Sequence, residues 1–116
     1  MKKQQVICFM SMVVFLVLFS TSVYAVCTTT KCTGNIDRLY ITGGKLYIST
    51  DGDERNLDCN AVSDVYLTLS TSNPDFKNYY AMMLTTMSMG NQIGLRIENG
   101  SQGCELLYAH MDNNTN

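Results

Sequence analysis

Four cysteines constrain this chain more than any other feature. They stand at positions 27, 32, 59 and 104. A fifth, Cys8, lies in a segment expected to be removed. Lys2 and Lys3 precede an uncharged apolar run from Val6 to Phe19, then Ser20-Thr21-Ser22 and Val23-Tyr24-Ala25. That order is the three-part pattern of a secretory signal peptide, with cleavage after Ala25. The run is shorter than the roughly 20 residues that span a bilayer. A lipoprotein signal would put a small residue directly before a cysteine, and Val26 precedes Cys27. An exported chain enters an oxidising compartment, where an even cysteine count in a short sequence reads as disulfides. Four cysteines allow three connectivities. The favoured one joins Cys27 to Cys32 and Cys59 to Cys104, the second closing a long loop that restricts the unfolded chain more. A four-cysteine zinc site would call for close Cys-x-x-Cys pairs, which are missing here.

The expected layout is therefore a signal peptide over 1–25 and a single domain over 26–116. The protein is placed in the periplasm or outside the cell, with no stable membrane span after cleavage. Removing the signal takes away two lysines and no acid, leaving six basic against ten acidic residues, a net charge of −4. Such a balance is poorly suited to the phosphate backbone of nucleic acid. The whole chain is 46% hydrophobic and 16% charged, too apolar for disorder.

Residues 35–42 (NIDRLYIT) and 45–50 (KLYIST) read as strands flanking a Gly43-Gly44 hairpin turn. In the first, Leu39 and Ile41 point one way and Ile36, Arg38 and Tyr40 the other; in the second, Leu46 and Ile48 share a face. A third strand is expected over 64–70 (DVYLTLS), with Val65, Leu67 and Leu69 inward. The period then changes. Asn73 suits an N-cap and Pro74 the first helical position. Phe76, Tyr79, Tyr80, Met83, Leu84 and Met87 form an apolar stripe on a helix of about four turns, which Gly90 stops. Strands over 93–99 and 104–111 follow, and the polar end from Asp112 is expected to fray.

The order β-β-β-α-β-β is that of the OB-fold, a small five-stranded Greek-key barrel. The expected class is mainly β with one helix, folded as an OB-fold-like barrel. In that fold strands three and five run side by side in the same direction. Cys59 before one and Cys104 at the start of the other would then be neighbours. The rival is an open sheet covered by the helix.

Export signal, paired cysteines and this order together resemble the B subunits of bacterial AB5 toxins, in the subtilase-cytotoxin and pertussis-like branch. The pattern that carries it is Phe76, Tyr80, Gly90 closing the helix, the Arg96-Ile97 strand and Cys104. The resemblance also takes in small exported OB-fold proteins related to these subunits. It implies a homopentameric ring that binds host-cell glycans, often sialylated, and a toxin A subunit as partner. The helix would face a central pore, where Ala81, Thr85 and Ser88 would let neighbouring helices approach. Read on their own, those three residues make a solvent-facing strip.

No catalytic, metal or cofactor site is expected. Asp51, Asp53, Glu54 and Asp58 lack calcium-loop spacing and read as a solvated turn. His110, the one histidine, has no nucleophile or orienting partner and is expected to be exposed on the last strand. No tryptophan is present to stack on a sugar. The candidate ligand contacts are Tyr40 and Tyr47, which flank the first hairpin; Tyr66 and Tyr108 also fall in strands. Partial burial in the wall of the fold is the alternative for these tyrosines. Asn99-Gly100-Ser101 and Asn113-Asn114-Thr115 match the N-glycosylation pattern, relevant only to a eukaryotic secretory pathway. The expected function is a secreted non-enzymatic binding protein, like a glycan-binding toxin B subunit. The alternative is a monomeric periplasmic or secreted OB-fold protein that binds a protein or small ligand.

Overall fold

The computed structural model describes residues 24–112. The apolar run of the expected signal and the second glycosylation pattern lie outside them. The chain forms β1 (Val26–Cys27), β2 (Lys31–Gly34), β3 (Ile36–Thr42), β4 (Lys45–Thr50), a short 3-10 turn (Glu54–Asn56), β5 (Leu67–Ser70), α1 (Phe76–Met89), β6 (Ile93–Ile97) and β7 (Leu106–His110). The fold is mainly β with one helix. Its strands make two antiparallel sheets, in the orders β1-β2-β6-β7 and β3-β4-β5.

The expected closed five-stranded barrel is not what forms. The chain leaves one sheet for the other at Asn35, between β2 and β3. On the opposite side β5 and the approach to β7 meet at one parallel bridge, Thr68–Glu105. The ladder stops there because Gly103 and Cys104 have φ of +80° and +45°, a left-handed kink that no regular strand continues through. A second parallel bridge, Asn60–Gln102, lies just ahead of it. Cys59 and Cys104 are thus held together and form a disulfide, as Cys27 and Cys32 do across the β1–β2 hairpin.

The Gly43-Gly44 hairpin is as expected. Both glycines have positive φ, which a two-residue type I′ turn requires. Three local expectations shift. A bulge between Ile36 and Arg38 puts two β3 residues opposite one step of β4. It turns Ile36 onto the buried face with Leu39, whereas strict alternation had placed it with Arg38. Strand three begins at Leu67, since Ser63 and Asp64 adopt left-handed φ in a turn closed by Val62 and Tyr66. Val65 is left 41% exposed. The helix begins at Phe76, because Asn73 accepts the Asp75 N–H on its side chain and Pro74 lies in that turn. Gly90, at φ +66°, ends the helix, and the Asn91 N–H reaches the Thr86 carbonyl.

The core is filled by Leu46, Ile48, Leu67, Leu69, Ile93, Leu95, Ile97 and Met83, with Phe76, Tyr79 and Tyr80 packed against it. The helix is rotated from the expected stripe. Thr86 is fully buried, its hydroxyl donating to the Met83 carbonyl, while Leu84 and Met87 are about 40% exposed. Ala81, Thr85 and Ser88 are exposed, and both hydroxyls bond carbonyls of their own helix.

In the chain-entropy view, a cross-link contributes more as its loop lengthens, about 4 kcal/mol for a 45-residue separation and about 2 for one of five. Replacing Cys59 and Cys104 by alanine is expected to cost roughly twice as much unfolding free energy as replacing Cys27 and Cys32. Chemical denaturation of the two double variants checks this.

Candidate functional site

The two candidate tyrosines form one surface. Tyr40 on β3 and Tyr47 on β4 are direct cross-strand partners. Their rings lie 4.8 Å apart between centroids and within 7° of parallel. Tyr66 stands edge-on to both, at 5.3 and 6.2 Å and 88°. Stacked and edge-on pairs at these separations each contribute about 0.5–1.5 kcal/mol beyond their buried area. Arg38, two residues before Tyr40, donates from Nη1 to the Tyr66 hydroxyl at 3.1 Å. That bond fixes the edge-on ring against the stacked pair.

The placement follows from the strand period. Leu39 pairs with buried Ile48 and Ile41 with buried Leu46, so Arg38, Tyr40 and Tyr47 emerge on the opposite side; Ile41, next to the hairpin turn, stays 49% exposed. The bulge lies before Arg38, so it resets Ile36 without moving the tyrosines. Thr68 faces Tyr47 from β5, and its hydroxyl donates to the Gly103 carbonyl at 2.9 Å. Tyr40 remains 39% exposed, leaving part of the stack open to solvent. Its phenol is pushed above the usual tyrosine range, first by the neighbouring rings that displace water and then by Tyr66 and Tyr47; Arg38 acts in the opposite sense. Tyr66 and Arg38 are the members that sequence reasoning did not assign to the site. The signal for Tyr66 was its even spacing from Thr68 and Ser70, once Leu67 and Leu69 are taken as inward. Tyr108 lies on the other sheet, opposite Arg96.

The remaining chemistry-bearing residues are largely engaged in structure. Asp51 accepts from the Asn35 backbone and side-chain amides, and Asp53 pairs with Arg55 at 2.8 Å. Asp58 accepts from Asn99 at 3.2 Å. Glu54 departs from the expected solvated turn. It is buried, and one oxygen accepts from the Thr50 N–H and hydroxyl at 2.6 and 2.8 Å. A shallow depression of about 670 Å³ runs beside this loop, lined by Thr50, Asp51, Asp53, Glu54, Arg55 and Asp64 among others. No group of three or more metal-ligating side chains occurs among the described residues. His110 is half-buried rather than exposed. Its ring covers Gly94, its cross-strand partner, so that a Cβ on Gly94 would fall on the imidazole.

No protein-family model, curated protein or solved structure matches this chain.

Tyr40 is expected to stay protonated to a higher pH than a free tyrosine. Arg38→Met, by removing the cation that opposes the shift, is expected to raise its titration further. Carbon-13 NMR of the tyrosine Cζ atoms, followed against pH in both proteins, checks the order.

Proposed function

We propose that this chain is an exported, non-enzymatic binding protein whose Tyr40–Tyr47–Tyr66 platform takes a saccharide of a host-cell surface. The observation that carries the proposal is the platform itself: three tyrosines gathered on an outer sheet face, one of them 39% exposed, with Arg38 holding the edge-on ring. An aromatic ring offers a flat apolar body to the C–H face of a sugar and a hydroxyl to its polar rim. Recognition surfaces concentrate such rigid amphipathic side chains.

The strand arrangement supports an OB-like reading of the two sheets, opened along one side. β2 runs into β3 across Asn35, β2 pairs with β6, and β5 meets the approach to β7 in parallel. In an OB-fold the face of strands two and three is one that binds oligosaccharides. On this mapping β4 and β5 are those strands, and Tyr47 and Tyr66 belong to that region. Export is supported by the two disulfides, which persist in oxidising compartments. No helix among the described residues is long and apolar enough to cross a membrane. By analogy with AB5 B subunits, the functional form is a ring of five copies that carries an A subunit.

A saccharide array probed with the mature, oxidised protein tests the ligand, and light scattering tests the ring. Tyr40→Ala and Tyr47→Ala are each expected to weaken the array signal about tenfold or more, the equivalent of 1.4 kcal/mol. A monomer that gives no saccharide signal overturns the proposal and favours a protein or small-ligand partner.

A further inference from the structure

The outer face of the four-stranded sheet gathers cations in a chain that has few. Of the six basic residues beyond the expected signal, Lys31 on β2 and Arg96 on β6 are direct cross-strand partners. Like charges directly opposite one another repel, and a neighbouring carboxylate is the usual relief. Among the described residues the ion pairs are Arg55–Asp53 and His110–Asp112, and neither involves Lys31 or Arg96. The row continues from Arg96 to Tyr108 on β7; in the next row, His110 lies over Gly94. Alternation puts Lys31, Arg96, Tyr108 and His110 on one side, and Cys32 and Leu95 on the buried side.

The second observation is independent of charge. Four side-chain polar atoms among the described residues are buried without a hydrogen-bond partner. Two are nitrogens of this face, Arg96 Nε and His110 Nδ1; the other two, Gln92 Nε2 and Asn35 Oδ1, lie beyond the Gly34–Ile93 pair at the far end of β2 and β6. A buried polar group left unpaired costs about 1–3 kcal/mol. Arg96 Nε can only donate, and it stands beside a second cation with no ion pair to either.

We propose that this face binds a small oxyanion, a carboxylate or phosphate group, between Arg96 and Lys31. The outer edge of the Arg96 guanidinium, formed by its two Nη groups, offers parallel N–H groups that match two oxygens of such a ligand, and Lys31 supplies a point charge. His110, in the next row, has its Nε2 3.4 Å from Asp112. The site is independent of the tyrosine platform, which lies on the other sheet.

The test is NMR of the intact disulfide-bonded protein, titrated at constant ionic strength with sodium phosphate and, separately, with sodium glucuronate. Saturable shifts of the Arg96 Nε–H and the His110 ring with at least one probe are expected. Arg96→Gln and Lys31→Gln are each expected to weaken that binding at least tenfold, while Lys77→Gln on the exposed side of α1 leaves it unchanged. Lys31→Gln keeps the test decisive if Arg96→Gln does not fold. The probe that saturates at the lower concentration identifies the class of oxyanion. Shifts that stay linear with both probes, or that persist unchanged in Lys31→Gln, overturn the proposal. The saccharide-array result with the tyrosine variants is untouched by either outcome.

Discussion

Thr68 and the disulfide beside it hold the two sheets to each other. The Thr68 N–H donates to the Cys104 carbonyl at 3.2 Å and its hydroxyl to the Gly103 carbonyl at 2.9 Å. Cys104 is bonded in turn to Cys59, whose neighbour Asn60 exchanges backbone hydrogen bonds with Ser101 and Gly103. Gly103 has to be glycine-like at this point. Its φ is +80°, and a Cβ there would press on the Thr68 hydroxyl at 3.1 Å. The three-stranded sheet reaches this junction through β5 and the four-stranded sheet through the approach to β7, so the relative placement of the two outer faces depends on it.

The parts of the fold legible in the sequence are those set by residues with one strong local preference. Gly43-Gly44 turns, Gly90 ends the helix, and the cysteines pair as their loop lengths suggested. What escaped was set by neighbours in space. Ile36 changes face because of a bulge, and nothing in Asn35-Ile36-Asp37-Arg38 announces an extra residue. The helix buries Thr86 and exposes Leu84 and Met87, because Met83 sets the direction of contact and a threonine can satisfy its hydroxyl on its own turn. Periodicity sees an apolar stripe about 100° wide and cannot choose which edge of it the sheets will cover. The barrel expected from element order gives way to two sheets for a similarly local reason, the left-handed Gly103-Cys104 kink.

The candidate site was half legible. Tyr40 and Tyr47 were readable from a hairpin whose turn fixes its own register, which is why they are found face to face. Tyr66 was harder to place, since its strand was expected to start at Asp64 and the turn at Ser63-Asp64 intervenes. The role of Arg38 depends on a partner 28 residues away, a distance that no local pattern spans.

The two outer faces divide the chemistry. The face on β3, β4 and β5 carries aromatic rings, and its Arg38 is spent on a tyrosine hydroxyl. The face on β2, β6 and β7 carries Lys31 and Arg96 with no ion pair to either, although acids outnumber bases ten to six beyond the expected signal. Asp51, Asp53, Glu54 and Asp58 are committed to the loop that follows β4 and to its contacts with Asn35 and Asn99. Four of the ten acids are therefore held elsewhere by hydrogen bonds that build the fold. A cationic pair that the chain itself does not relieve loses stability through repulsion. A bound anion would return it, and the interaction is strongest where the surroundings exclude water, as they do at Arg96 Nε.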